Sequence, residues 1–264
     1  MRGNKPTLLT KKFKNVIMCK KADRGEWDML LFYIRHGDPI YDPNMLTPLG
    51  EKQAHAVAKR LASHGLDKIY SSPSARARQT AQPTADLTKL PVTEVDFADE
   101  AHVWRDLTAR RDDGSETWVF SHEGMRELFT SKEIRALGDE WYRHPKLVEY
   151  EAGIKKVYDN TDAFLTALGY EHERYTGRYK VLCDNGERVA LFAHQGFGLA
   201  FLSCLLDIPY PQFSTHFDMS HSNMTVIEFA DEGGYAIPKV LTLSNDSHIY
   251  REGLPTKYNN EIYF

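Results

Sequence analysis

The stretch Leu30-Leu31-Phe32-Tyr33-Ile34, followed at once by Arg35-His36-Gly37, constrains the fold more than any other in the chain. A continuous apolar run of this length, closed by a turn residue, suits a strand covered on both faces, as in a parallel sheet. In open α/β sheets ligands collect beyond the carboxyl ends of such strands, so a guanidinium and an imidazole at that end are candidate site residues. Gly37 lets the backbone turn sharply and approach a ligand closely. Arg35 offers the planar fork that matches phosphate oxygens. A second run, Val189-Ala190-Leu191-Phe192-Ala193, ends in His194-Gln195-Gly196 before an apolar helix expected over 197–206. Parallel strands of one sheet end on the same edge, so both histidines are expected there.

Between these runs the chain alternates helix and strand signals. Thr47-Pro48 reads as an N-cap followed by proline at the first helical position, and Ala54, Val57, Ala58 and Leu61 recur at helical spacing up to about Ser63, with Gly65 as the stop. Lys68 to Ser71 is a short strand. Ser72-Pro73 repeats the cap signature before a helix that carries Arg76 in its first turn, and Pro83 is expected to kink or interrupt that helix. Pro91 to Phe97 is a third strand. Residues of about 105–145 are polar and aromatic without clean alternation, and read as an insertion, either a solvated excursion or a wall beside the site. A helix is expected over 149–168, and strands over 224–230 and 235–243 are expected to pair through the turn at 231–234. Residues 1–28 are lysine-rich and polar, apart from Val16 to Cys19. They read as an extension outside a folded domain of 29–264, with an extra edge strand as the alternative.

Composition closes off several function classes. The formal charge of −4 and the absence of a lysine stripe interleaved with aromatics argue against nucleic acid as a partner. No stretch approaches the roughly 20 apolar residues of a membrane helix. The three cysteines, Cys19, Cys183 and Cys204, are far apart and lack metal-ligand or redox spacing, which suggests a reducing compartment, hence the cytoplasm. No His/Cys/Asp group has metal-ligand spacing either.

Three strand-to-loop junctions now converge: Arg35-His36-Gly37, Arg76 beyond Ser71-Ser72-Pro73, and His194-Gln195-Gly196. With Leu46-Thr47-Pro48-Leu49-Gly50, Gln53-Ala54 and Gln79-Thr80-Ala81, they make the sequence resemble the histidine phosphatase superfamily, the phosphoglycerate-mutase-like proteins, over about 30–104 and 188–229. The resemblance implies a three-layer α/β/α sandwich with a mainly parallel sheet. It further implies a phosphomonoester hydrolase that uses neither metal nor organic cofactor. In that reading His36 is the nucleophile and forms a phosphohistidine, while Arg35, Arg76 and His194 supply donors to the phosphoryl oxygens. The family takes the leaving-group proton from a carboxylic acid after the third strand. Glu100 is the candidate, Asp99 its neighbouring competitor, and Glu116 and Glu123 stay open. Gly37, Tyr41, Gln195 and His102 are candidate substrate contacts, with His122 and His221 as further pocket histidines. The expected partner is a small-molecule phosphate ester.

The sequence departs from the family pattern in two places. Asp38, Pro39 and Asp42 stand where many members carry an acid, a threonine and an asparagine. The following segment also lacks the Phe-Thr-Gly-Trp run of cofactor-dependent phosphoglycerate mutases, which favours hydrolysis over phosphotransfer. A mutase and a non-catalytic phospholigand-binding protein are the alternatives.

Overall fold

The computed structural model describes residues 28–183 and 185–256, so the extension read over 1–28 lies outside the described residues except for Asp28. Six strands form the main sheet: β1 (Met29–Arg35), β2 (Lys68–Ser71), β3 (Val92–Glu94), β4 (Arg188–Ala193), β5 (Met224–Phe229) and β6 (Lys239–Asn245). Their order across the sheet is β6-β5-β1-β4-β2-β3. β1, β4, β2 and β3 pair in parallel, whereas β5 runs antiparallel to both β1 and β6. One reversed strand in six makes the sheet mainly parallel.

The apolar run of β1 divides by side-chain alternation into two cores. Leu31 and Tyr33 face a large cluster that includes Phe164 of α4 (Glu151–Ala167) and Phe197 and Phe201 of α5 (Gln195–Leu205). Phe32 and Ile34 face a smaller one with Val57 and Leu61 of α1 (Pro48–His64) and Ala81 and Ala85 of α2 (Ala75–Thr88). Helices therefore cover both faces, and the fold is a three-layer α/β/α sandwich. Thr47 caps α1 by accepting from Gly50 N at 3.0 Å, as its sequence signature requires.

Several local expectations need correction. α2 continues through Pro83 instead of breaking there, held on both sides by buried Thr80, Ala81, Thr84 and Ala85. Residues 235–236 do not continue into β6. They join a separate three-stranded sheet with Tyr170–Glu173 and Arg178–Val181, two strands that the sequence did not reveal. The stretch 105–145 is no solvated excursion, because Leu107, Val119, Phe129, Ile134 and Trp141 are fully buried in the large core. Cys204 is a buried free thiol, and Cys183 is disulfide-bonded. Among the described residues no helix is long and apolar enough to cross a membrane.

An imidazole helps to pin the small sheet to the main body. His172 stacks on Tyr179 with ring centroids 4.2 Å apart, and its two nitrogens meet Asp162 at 2.8 Å and Asp207 at 3.1 Å. Arg174 and the Cys204 thiol also reach Asp162. Burial disfavours the charged ring, but hydrogen bonds and charge from the two aspartates outweigh it and hold the pKa up at about 9. The folded state thus keeps a proton that the unfolded chain releases near pH ~6.5. The resulting stability is complete below that pH and is lost as pH rises through about 9. The thermal midpoint should therefore fall between pH 6.5 and 10, and His172→Gln should flatten that fall. An unchanged slope in the variant would rule the histidine out as its source.

Candidate active site

The carboxyl ends of β1, β2 and β4 meet at one edge of the sheet. Register does this directly: Arg35 pairs with Ala193, His36 N donates to Ala193 O at 2.9 Å, and Ser72 N donates to Phe192 O at 2.9 Å. The edge accordingly gathers Arg35, His36, Ser72 and His194, with Arg76 one helical turn beyond β2. His36 and His194 stand with ring centroids 5.2 Å apart. Because β5 is antiparallel, its amino end lies at the same edge and adds His221, 5.7 Å from His36.

The loop after β1 is braced so that His36 has one orientation. His36 Nδ1 donates to Gly37 O at 2.7 Å, which leaves Nε2 as the unprotonated nitrogen. Gly37 N donates to Thr80 Oγ1 at 3.0 Å, and the Thr80 hydroxyl donates to Arg76 O at 2.8 Å, so the loop and α2 move together. Gln53 and Gln79 accept from Asp38 N and Leu46 N, both at 2.8 Å. Glycine is required at 37 because a Cβ there would stand 2.6 Å from Gly50 O.

Electrostatics keep both histidines neutral. Burial pushes the His36 pKa well below its ordinary value, and the Arg35 and Arg76 charges push the same way against the Gly37 hydrogen bond. His194 is likewise held well down by burial, then by His36, Arg76 and Arg35. Arg35 is itself fully buried, which lowers its pKa, yet a guanidinium remains cationic. Its amino groups reach Met219 O at 2.5 Å and His221 Nε2 at 2.8 Å.

Glu100 lies at the start of α3 (Glu100–Asp106) and points inward. Its Oε2 accepts from Arg76 at 2.9 Å and lies 3.5 Å from His194 Nδ1, while its Oε1 accepts from Gly196 N at 2.9 Å, in the first turn of α5. Asp99 has a different task, because it caps α3 by accepting from Ala101 N at 3.0 Å. His194 is fixed from two sides. Tyr33 OH donates to His194 O at 2.5 Å and packs where a Cβ on Gly198 would collide with it. His194 Nε2 meets Ser72 Oγ at 2.8 Å. His194 Nδ1 and Arg76 Nε are buried and have no hydrogen-bond partner among the described residues. A buried polar nitrogen without a hydrogen-bond partner is costly unless an acceptor arrives there.

The other candidates fall in different places. Tyr41 is 64% exposed at the cleft mouth, with the Arg76 guanidinium 5.4 Å from its ring centroid. Gln195 is buried and donates to Asp218. His102 turns away: its Nε2 is 3.4 Å from Asp96 Oδ2, and it borders a separate hollow next to Lys156. His122 caps the helix Glu123–Phe129. Asn44, which accepts from Arg76 at 3.1 Å, and the indoles of Trp104 and Trp118 line the cleft without having been singled out in the sequence. His36, Glu100 and His194 bring ligand atoms within 4.8 Å of one another. Both Glu100 oxygens are already engaged, however, and two guanidiniums adjoin His36. The charge there suits an anion better than a cation.

A family model described as histidine phosphatase superfamily, branch 1, matches residues 31–119. Over that stretch, about a third of the chain, the sequence is similar to the histidine phosphatase superfamily. It is 37% identical over 71 residues to a probable phosphoglycerate mutase, GpmB, of Yersinia enterocolitica, a match covering 24% of this chain and 33% of that protein. It therefore spans only about a third of that relative's length. To phosphoserine phosphatase 1 of Hydrogenobacter thermophilus it is 28% identical over 163 residues, covering 61% and 67% of the two chains. Among solved structures, a phosphoserine phosphatase of Entamoeba histolytica in complex with phosphoserine superposes with a TM-score of 0.53 at 18% identity. That match covers 84% of this chain and 99% of the other, and the likeness is one of fold.

Proposed function

We propose that this chain is a metal-independent phosphomonoester hydrolase that works through a phosphohistidine on His36. The observation that carries the reading is the neutral His36 ring, with Nδ1 tied to Gly37 O and Nε2 left free. Around it stand Arg35, Arg76 and His194, whose Nδ1 has no hydrogen-bond partner among the described residues. A phosphomonoester repels nucleophiles by its own charge, so catalysis needs cationic donors on the phosphoryl oxygens and a nucleophile in line.

The His36 Nε2 lone pair attacks phosphorus, the P–O bond to the alcohol breaks, and its electrons leave on that oxygen. Glu100 supplies the proton that the departing oxygen takes up. Water then attacks phosphorus from the side the alcohol left, Glu100 takes the water's proton, and the P–N bond breaks with its electrons returning to His36 Nε2, so that inorganic phosphate leaves and His36 is neutral again. The Nδ1–H bond to Gly37 O persists throughout and steadies the ring when it acquires charge. The curated relatives, a phosphoserine phosphatase and a probable phosphoglycerate mutase, are named for small phosphate esters, which supports the same substrate class here.

A panel of small phosphomonoesters tests the reading. Inorganic phosphate should be released in the presence of a chelator, and kcat/KM should hold up at pH 5.5, because the His36 pKa lies well below the ordinary ~6.5. No release from any ester, or release that needs an added divalent metal, would contradict it.

A further inference from the structure

The cleft that receives the leaving alcohol has a volume of about 470 Å³. Its walls are aromatic. Trp104 of α3 meets Trp118 edge to face, with centroids 4.8 Å apart at 88°, and Trp118 stacks on Phe120 at 5.6 Å and 15°. Trp118 is pressed against the first turn of α5, where a Cβ on Gly196 would collide with the indole. Tyr41 adds a third ring at the mouth.

The charges facing the cleft are as telling. Among the described residues that line the cleft, Arg76 is the one cation, and it is already bound by Glu100 and Asn44. Asp99 and Glu100 supply two carboxylates. A substrate carboxylate beyond the phosphoryl group would face these acids and the indole rings without a cation to receive it. A flat, uncharged group would exchange water for ring faces at no such cost.

We infer that the cleft selects phosphomonoesters whose alcohol carries a flat, uncharged apolar group, and disfavours carboxylate-bearing esters such as phosphoserine. The inference rests on the hydrolase reading of the same site. Trp104 and Trp118 are then the specificity-determining residues.

Three alkyl esters test this without a large difference in leaving-group basicity: 2-phenylethyl phosphate, ethyl phosphate and phosphoserine. The phenylethyl ester should exceed ethyl phosphate in kcat/KM by roughly 10- to 100-fold, within the range that apolar pockets provide, and phosphoserine should fall below both. Trp104→Ala should remove about tenfold of the phenylethyl advantage, with Trp104→Phe restoring most of it. Calorimetry with 3-phenylpropylphosphonate and propylphosphonate, which cannot be hydrolysed, measures the same preference without turnover. Tighter binding of the phenyl compound with no ester hydrolysed would refute the hydrolase reading and leave this inference standing. Equal binding of the two phosphonates, phosphoserine as the preferred ester, or equal losses on all three esters in Trp104→Ala would overturn it.

Discussion

His36→Ala should lower the turnover of every phosphomonoester by on the order of 10⁴-fold or more, with the fold intact. The size of the effect follows from what the residue supplies. Arg35, Arg76 and His194 can still hold a phosphoryl group, but none presents an unprotonated nitrogen in the braced position that the Gly37 hydrogen bond gives His36. Water would have to attack directly. Circular dichroism should match the wild type, because the loop remains held by Thr80, Gln53 and Gln79. A variant that retains more than about a hundredth of wild-type turnover would show that another group carries the phosphoryl transfer.

Glu100→Gln should separate substrates by their leaving groups. An alkoxide is a strong base and needs a proton in the transition state, whereas a nitrophenolate leaves largely unaided. Hydrolysis of alkyl phosphates should slow by the ~10² to 10⁴ typical of lost acid catalysis, while phosphoenzyme formation from nitrophenyl phosphate slows far less. The contrast matters because Glu100 also braces Arg76 and the start of α5. Were bracing its whole contribution, both substrates would lose rate alike, and equal losses would disqualify it as the acid. Asp99→Asn is the control. Asp99 caps α3, so its loss should cost about 1 kcal/mol of stability or less and leave the dependence on leaving group unchanged.

What the sequence revealed follows from where the information is local. β1 and β4 are continuous apolar runs because both faces are covered by helices, and each ends in its site histidine. The Thr47-Pro48 start of α1 is equally local, since a hydroxyl three residues from an amide needs nothing else to form the cap. The remainder of the site depends on contacts far apart in the chain. His221 reaches the edge only because β5 is reversed, which puts its amino end beside the carboxyl ends of the others, and periodicity carries no sign of strand direction. Trp118 sits in the strand Glu116–Trp118, too short to show alternation, and its place in the cleft depends on Gly196 some eighty positions later. Pro83 misled in the other direction, because tertiary packing on both sides of it outweighed one lost hydrogen bond.

The central claim is a covalent phosphate on one nitrogen of His36. The most direct measurement is a rapid quench of the wild-type enzyme, mixed with an ester labelled in its phosphoryl group, into alkaline denaturant, followed by peptide mapping. The account predicts label on the peptide carrying His36, stable in alkali, lost in acid and absent from His36→Ala. Steady release of labelled phosphate with no protein-bound label at any quench time, and with the alanine variant equally active, would contradict it.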